Sequence, residues 1–284
     1  MDSAAVVASG QVAALVAVAS ADTPAVAELA ALAEEVSGAL AAADRGNGNP
    51  GRSCGANSSP AQTSTATTAT TSDSEKSAGW KLLFDGSTTA GWTNYKSDKI
   101  KPNWVIDDGA LHLKGGGGGD LATTAEYDNF ELSLEWKISP GGNSGIMYRI
   151  PPAAGSIYSD AIEMQVLDNA GHKDGKNPKT SAGSAYALLA PSKDATKPVG
   201  EWNAIRIVAD GKHIEHWMNG EKIVDFIIGS EAWNTAKAAG KFAKNDKFAA
   251  APSGRIGLQD HGNLVWYRNI KVRSLPANSG APTK

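Results

Sequence analysis

The strongest constraint on the fold is an alternation of apolar and polar residues with a period of two, which begins near Trp80. Residues 130–138 (FELSLEWKI) and 161–168 (AIEMQVLD) both follow it. Successive side chains of a strand point to opposite faces, so each run predicts a strand with one buried face. Asp-Gly and Asn-Gly pairs lie between such runs at 108–109, 210–211 and 219–220, as in two-residue hairpin turns.

These patterns predict an all-β fold. About ten to twelve short strands follow one another without intervening helices, which favours a two-sheet antiparallel sandwich over a parallel α/β fold. From Trp80 onward, only 230–242 has a potential helical pattern. The glycine run 115–119 is expected to be a mobile loop; it is not a phosphate-binding loop, because no Lys-Ser/Thr pair follows it.

The aromatic residues divide the chain. The 8 Trp, 6 Tyr and 5 Phe residues all lie between Trp80 and Tyr267. A segment rich in Ala, Ser and Thr without aromatics cannot bury much core. We therefore predict an Ala-rich leader or short helix over 1–45, a disordered Ser/Thr-rich linker over 46–79, the sandwich domain over 80–275 and a disordered tail over 276–284.

The leader suggests export. Its small apolar residues end in Ala19-Ser20-Ala21, which resembles a signal-peptidase site, although no basic residue precedes them. We expect a secreted or periplasmic protein. Cys54 stands before the flexible linker, as in a bacterial lipoprotein, but no lipobox precedes it, so an inert thiol is the alternative to an anchor.

Composition excludes several functions. A net charge of −3 without a basic stripe argues against nucleic acid as a partner. No uninterrupted apolar run reaches the ~18 residues of a membrane span. One cysteine excludes a disulfide framework and a cysteine-based zinc site. The sequence leaves the oligomeric state open.

Polar residues suited to chemistry occupy alternate positions of several predicted strands, on the face opposite to the apolar residues. They are Glu135, Arg149, Glu163, Gln165, Gln259 and His261. Together they could converge on one sheet face, hold a sugar and move protons. The alternative is a solvated face on which Arg149 only neutralises Glu135 or Glu163. His172 follows the Glu163 strand in a loop and is a further candidate for substrate contact.

Three tryptophans within predicted strands could serve either the core or sugar binding. They are Trp202, Trp217 and Trp266. A core position is the preferred interpretation, and a stacking surface for sugars is the alternative.

Several motifs resemble the 3-keto-disaccharide hydrolase domain family. They cover about 80–275 in the family's order: GWKLLFDG at 79–86, FELSLEW at 130–136, GNSGI at 142–146 with Arg149, IEMQVLD at 162–168, GEWN at 200–203, HWMNG at 216–220 and GRIGLQDHG at 254–262. Residues 1–79 lie outside the resemblance.

The resemblance implies a concanavalin-like jelly roll and an activity on glycosides already oxidised to a ketone at C3. Such a ketone acidifies the C2 proton, so a base can remove it and the enolate can expel the C1 oxygen before water adds. This route differs from ordinary two-carboxylate hydrolysis. A non-catalytic, lectin-like carbohydrate-binding module is the alternative function, since a fold alone does not decide activity.

The resemblance marks these positions without settling their roles, which we assign from the chemistry of the side chains. Glu163 or Glu135 is the expected base, with His261 as proton donor or as the alternative base. Arg149 and Gln165 would polarise the ketone or orient hydroxyls. Asn143, Gln259 and Asp168 would position the sugar. No cofactor is expected, although Glu135, Glu163 and His261 could together hold a divalent cation.

Overall fold

The computed structural model describes residues 69–276. The leader and most of the predicted linker and tail lie outside these described residues. Within them the α-helices are α1 (Asp73–Ser77) and α2 (Glu231–Ala238), and two short 3-10 helices span Lys173–Lys176 and Pro178–Thr180. The strands are β1 (Lys81–Leu82), β2 (Trp92–Asn94), β3 (Trp104–Asp107), β4 (Ala110–Leu113), β5 (Leu121–Thr123), β6 (Phe130–Ile138), β7 (Asn143–Ile150), β8 (Ile162–Leu167), β9 (Asn203–Asp210), β10 (His213–Met218), β11 (Glu221–Ile227), β12 (Arg255–Leu258) and β13 (Val265–Ser274).

The strands form two antiparallel sheets. The larger has the order β11-β10-β9-β6-β13-β4-β3, with β1 added on β13, and the smaller has the order β2-β5-β12-β7-β8. The sheets pack face to face around the main hydrophobic core, as in a jelly-roll sandwich. The predicted all-β, two-sheet antiparallel class is confirmed.

Strands β6 and β8 show how the alternation positions side chains. In β6 the apolar set is buried and faces the core, while Glu135 and Lys137 alternate with it on the outer face. In β8, by contrast, all six residues are buried. The following loop pairs with its free edge, where the Tyr186 N–H donates to Glu163 O at 3.0 Å. The outer face of β8 carries the candidate site.

Three tryptophans predicted for the core lie instead outside it. Trp202, Trp217 and Trp266 are half-buried, and cationic side chains cover their rings. Arg268 lies 4.0 Å from the Trp202 centroid, Arg206 lies 4.1 Å from that of Trp217, and Lys137 lies 4.6 Å from that of Trp266. Cation–π contacts of this kind stabilise an exposed sheet face and leave the rings poorly available for stacking on a sugar.

The folded region begins before Trp80. Within the predicted linker, α1 begins with a capping box in which the side chains of Ser72 and Glu75 each accept a hydrogen bond from the other residue's backbone N–H. The Lys271 ammonium of β13 also donates to the Glu75 carboxylate. The S-x-x-E pattern is a helix-start signal, so the end of the linker could have been predicted as helical.

The glycine run is anchored rather than free. The Gly119 N–H donates to Asp260 Oδ2 at 2.7 Å, the Trp104 indole donates to Gly119 O at 2.8 Å, and Asn94 Nδ2 donates to Gly118 O at 2.7 Å. The expectation of a mobile loop is therefore wrong. The predicted helix within 230–242 is confirmed as α2, whose N-cap is Ser230.

Within residues 69–276 we find no helix that is both long enough and apolar enough to span a membrane.

Candidate active site

A small polar cavity lies on the outer face of the smaller sheet. Its volume is about 170 Å³. The strands β7 and β8 form its floor, and the segment after β12 forms one side. It is lined by Asn143, Tyr158, Glu163, Gln165, Tyr186, Lys241, Gln259 and His261. Five of the nine side chains predicted for the site therefore converge here: Asn143, Glu163, Gln165, Gln259 and His261.

Glu163 occupies its position because residue 145 on the neighbouring strand is glycine. Met147 is the register partner of Glu163, and Gly145 is that of Gln165. A Cβ added at Gly145 would collide with Glu163 Oε1. The missing side chain thus provides the space into which the carboxyl group fits.

The surroundings of Glu163 favour its neutral form. Burial raises the pKa of this carboxyl group to about 8. The Lys241 charge opposes the rise, while Asp120 and Asp174 add to it. A carboxyl group with such a pKa exchanges its proton close to neutral pH, as proton-transfer catalysts do.

Gln165 orients Glu163. When its amide is assigned to satisfy both neighbours, the nitrogen donates to Ser144 O at 2.8 Å and to Glu163 Oε1 at 3.1 Å. One carboxyl oxygen is thereby held, while the side chain still lines the cavity.

Two amide oxygens in the cavity wall lack a hydrogen-bond donor among the described residues. They are Asn143 Oδ1 and Gln259 Oε1, and both atoms are buried. The backbone holds the two residues in place: the Gln259 N–H donates to Gly145 O at 3.0 Å, and the Asn143 N–H donates to Asn263 Oδ1 at 3.1 Å. Buried acceptors of this kind are usually paired, so these two unpaired oxygens distinguish the wall of this cavity.

Two histidines meet at the mouth of the cavity. The His172 and His261 rings are nearly perpendicular, with centroids 6.2 Å apart. His172 Nδ1 accepts from the Asp174 N–H at 3.1 Å, which places its proton on Nε2. His261 is solvent-exposed and lines the cavity. Burial raises the pKa of the nearby Asp120.

Glu135 does not belong to this group. It lies on β6, in the larger sheet, where its carboxylate accepts from Arg268 Nε at 2.7 Å and from Asn269 Nδ2 at 3.0 Å. The alternation predicted correctly that Glu135 faces outward, but the outer faces of the two sheets are on opposite sides of the sandwich. The predicted cation site formed by Glu135, Glu163 and His261 is therefore not assembled.

Arg149 is also directed elsewhere. Its backbone has a positive φ of 54°, and its buried guanidinium donates to Asp128 O and to Gly211 O, both at 2.7 Å. These bonds join loops at another part of the domain, and Arg149 contacts neither Glu135 nor Glu163. The prediction that Arg149 lies with the other polar residues of the site is wrong.

Asp168 supports the loop that carries His172. Its carboxylate accepts from the backbone N–H groups of Gly141, Ala170 and Gly171 at 2.7, 3.1 and 3.0 Å. Burial alone would raise the pKa of Asp168, but these donors outweigh it and hold the pKa below its ordinary value. The carboxylate is thus engaged by the backbone, outside the small cavity.

A larger cavity, of about 490 Å³, lies beside Asp168 and is also lined by Trp136, Leu167, Asp194 and Val199. Its two aspartates are engaged: Asp168 accepts from the backbone, and Asp194 accepts from Thr196 and Asn169. We place the site in the smaller cavity, because a buried proton-transfer group and unpaired acceptors occur there together.

Sequence reasoning missed three residues of the site: Tyr158, Tyr186 and Lys241. All three lie on connecting segments rather than strands. Strand parity could not assign them, and no local motif marks them.

Comparisons with known proteins agree with the motifs. Residues 79–273 match the family described as the 3-keto-alpha-glucoside-1,2-lyase-like domain. The chain belongs to this family. The resemblance seen in the sequence is thereby confirmed.

Relatives cover the same region. A "3-keto-disaccharide hydrolase" of Bacteroides thetaiotaomicron is 35% identical over 229 residues, which is 69% of this chain and 79% of that protein. Two crystal structures of proteins from Parabacteroides distasonis, assigned to the glycosyl hydrolases, are each 30% identical. One has a TM-score of 0.68 and covers 73% of this chain and 99% of that one; the other has a TM-score of 0.54 and covers 69% and 99%.

Proposed function

We propose that this protein is an enzyme that cleaves glycosides bearing a ketone at C3 of one sugar. Family membership and the name of the Bacteroides relative support this substrate class. The observation that carries the proposal is Glu163, a buried carboxyl group with a pKa of about 8 at the floor of a polar cavity.

The proposed chemistry is elimination followed by hydration. A base removes the C2 proton, and the electron pair of that bond moves toward the C3 carbonyl to give an enolate. The enolate re-forms the ketone and expels the C1 oxygen, which receives a proton. Water then adds at C1 of the resulting enone and a proton returns to C2, so the net reaction is hydrolysis.

The residues of the cavity can be given roles in this sequence. Glu163 in its ionised form takes the C2 proton, and a pKa near the working pH suits a general base. His261, at the mouth, delivers a proton to the departing oxygen. Asn143 and Gln259 accept hydrogen bonds from sugar hydroxyl groups, and Gln165 orients the base.

Turnover tests the proposal directly. The full chain is incubated with a 3-keto-disaccharide, such as 3-keto-trehalose or 3-keto-lactose, and with the unoxidised parent sugar, and released monosaccharides are measured. We expect cleavage only of the oxidised sugar. Binding without turnover would instead identify a carbohydrate-binding module.

Isotope incorporation tests the mechanism. In D₂O the keto product should carry deuterium at C2, because the proton removed there is replaced from solvent. Cleavage with an unlabelled C2 would contradict elimination. Glu163→Gln should lower kcat by about 100-fold or more, as expected for loss of a general base, with an unchanged circular dichroism spectrum.

Export to the periplasm or the medium, predicted from the leader, stays a proposal. Fractionation of cells that express the full chain would test it.

A further inference from the structure

The proposed elimination is accelerated by a hydrogen-bond donor or a positive charge at the C3 oxygen. As the C2 proton leaves, negative charge develops on that oxygen, and a fixed cation or donor there lowers the barrier. Arg149 and Gln165 were predicted to polarise the ketone or orient hydroxyls. The Arg149 guanidinium is bound to backbone carbonyls elsewhere, and the Gln165 amide donates to Ser144 O and Glu163 Oε1. The lysine that lines the cavity is Lys241.

The position of Lys241 is fixed by aromatic packing. It follows α2 and precedes the buried Phe242, whose ring stacks on Phe248 with centroids 3.7 Å apart. The Lys241 ammonium lies 4.1 Å from the Tyr186 centroid and 4.8 Å from that of Phe242. Although the residue is solvent-exposed overall, its charged end is thereby held at the cavity rim.

Aromatic rings, rather than a carboxylate, hold this ammonium. Rings attract a cation through their faces and leave its N–H donors free. Glu163 and Asp174 interact with the Lys241 charge through space. The cavity therefore has a proton acceptor at its floor and a cation with free donors at its rim.

We propose that Lys241 is a catalytic residue whose ammonium donates a hydrogen bond to the C3 oxygen and stabilises the enolate while Glu163 takes the C2 proton. C2 and C3 are adjacent ring atoms, so one bound sugar can face both groups. The bond from C2 to hydrogen breaks, the proton goes to the Glu163 carboxylate and the electron pair ends on the C3 oxygen. Lys241 remains an ammonium throughout. This inference rests on the proposed function.

Three variants of the full chain test the inference. Lys241→Met removes the charge at similar length, Lys241→Arg keeps it, and Lys244→Met is the matched control on an exposed neighbour outside the cavity. With a 3-keto-disaccharide we expect Lys241→Met to lower kcat by about 100- to 1000-fold with little change in KM. Lys241→Arg should retain part of the activity, and Lys244→Met should match the wild type.

Two further measurements separate catalysis from an indirect effect. Because the Lys241 charge also lowers the pKa of Glu163, kcat is compared on the plateau of each variant's pH profile, where a shifted pKa no longer matters. Methylammonium is then added to Lys241→Ala, and we expect it to restore part of the rate.

The outcomes are distinguishable. Equal plateau kcat for Lys241→Met and the wild type would overturn the role of Lys241 while leaving the proposed function intact. A loss of kcat that Lys241→Arg and methylammonium both fail to restore would also overturn it. No turnover by the wild type would instead refute the proposed function itself.

Discussion

Glu163→Gln is expected to stabilise the fold at neutral and alkaline pH while it removes activity. The substitution keeps the shape of the side chain and replaces an ionisable group by a neutral one. Gln165 can still donate to the oxygen at this position. Any pH-dependent difference in stability between the two proteins therefore reports the ionisation of Glu163.

The size of this difference in the free energy of unfolding follows from the two pKa values of the Glu163 carboxyl group, 4.5 ordinarily and about 8 in the fold. Below pH 4.5 the carboxyl group is protonated in both the folded and unfolded states, so the raised pKa imposes no penalty. Between pH 4.5 and 8 the unfolded chain releases the proton while the folded protein keeps it, so stability falls as pH rises. At about 1.4 kcal/mol per unit, the loss is about 3 kcal/mol at pH 7 and about 5 kcal/mol above pH 8.

Urea unfolding followed by tryptophan fluorescence, from pH 4 to pH 9, measures this difference. We expect the free energies of unfolding of the two proteins to agree near pH 4 and the variant to become progressively more stable above it. Such a gain is large beside the roughly 5–15 kcal/mol of a typical domain. Glu126→Gln, on an exposed residue, is the control and should change stability by about 0.5 kcal/mol or less. A constant difference between wild type and Glu163→Gln across this range would refute the reasoning.

Three other predictions concern single positions. Gly145→Ala should lower kcat and destabilise the fold, because its Cβ displaces the Glu163 carboxyl group. In the Glu163→Ala background the same substitution should cost much less stability, as measured by urea unfolding of the two single variants and the double variant. An equal loss of stability in both backgrounds would show that the two residues are not coupled. Glu135→Gln should retain wild-type turnover of a 3-keto-disaccharide, because Glu135 lies on the other sheet; a loss like that of Glu163→Gln would contradict the site. His216, buried between Tyr148 OH and Gly183 O, has a pKa lowered by burial to about 4, so its NMR ring signals should not titrate between pH 7 and 5. The contribution of His216 to stability should then decline with falling pH in that range, opposite in sign to that of Glu163, because only the unfolded histidine gains a proton, and titration near pH 6.5 would refute this.

The alternation in the sequence was sufficient for the fold class and for part of the site. It predicted that Glu163 and Gln165 share one face of their strand, and this is how β8 presents them. It could not distinguish the outer face of β8 from that of β6. Alternation separates inward-facing from outward-facing side chains, but it does not show to which of the two sheets a strand belongs. Glu135 was therefore grouped with Glu163 although they lie on different sheets.

Other errors have local causes that the sequence does not display. The positive φ of Arg149 and the register shift between β12 and β7 change where that side chain goes, and parity assumes a regular strand. Lys241 reaches the cavity from a connecting segment through packing on Tyr186 and Phe242. That contact depends on tertiary structure, for which no spacing rule exists.

Gly145 and Glu163 together are the strongest physical indication of function in the fold. Glycine within a strand costs about 0.5–1 kcal/mol relative to alanine, and the buried carboxyl group costs about 3 kcal/mol at pH 7 through its raised pKa. Either choice alone is unfavourable for folding. Here they are coupled, since the absence of a side chain at one makes room for the carboxyl group of the other. A sheet that needed only stability would fill this space with an apolar pair, and departures from that rule are expected where a protein performs chemistry.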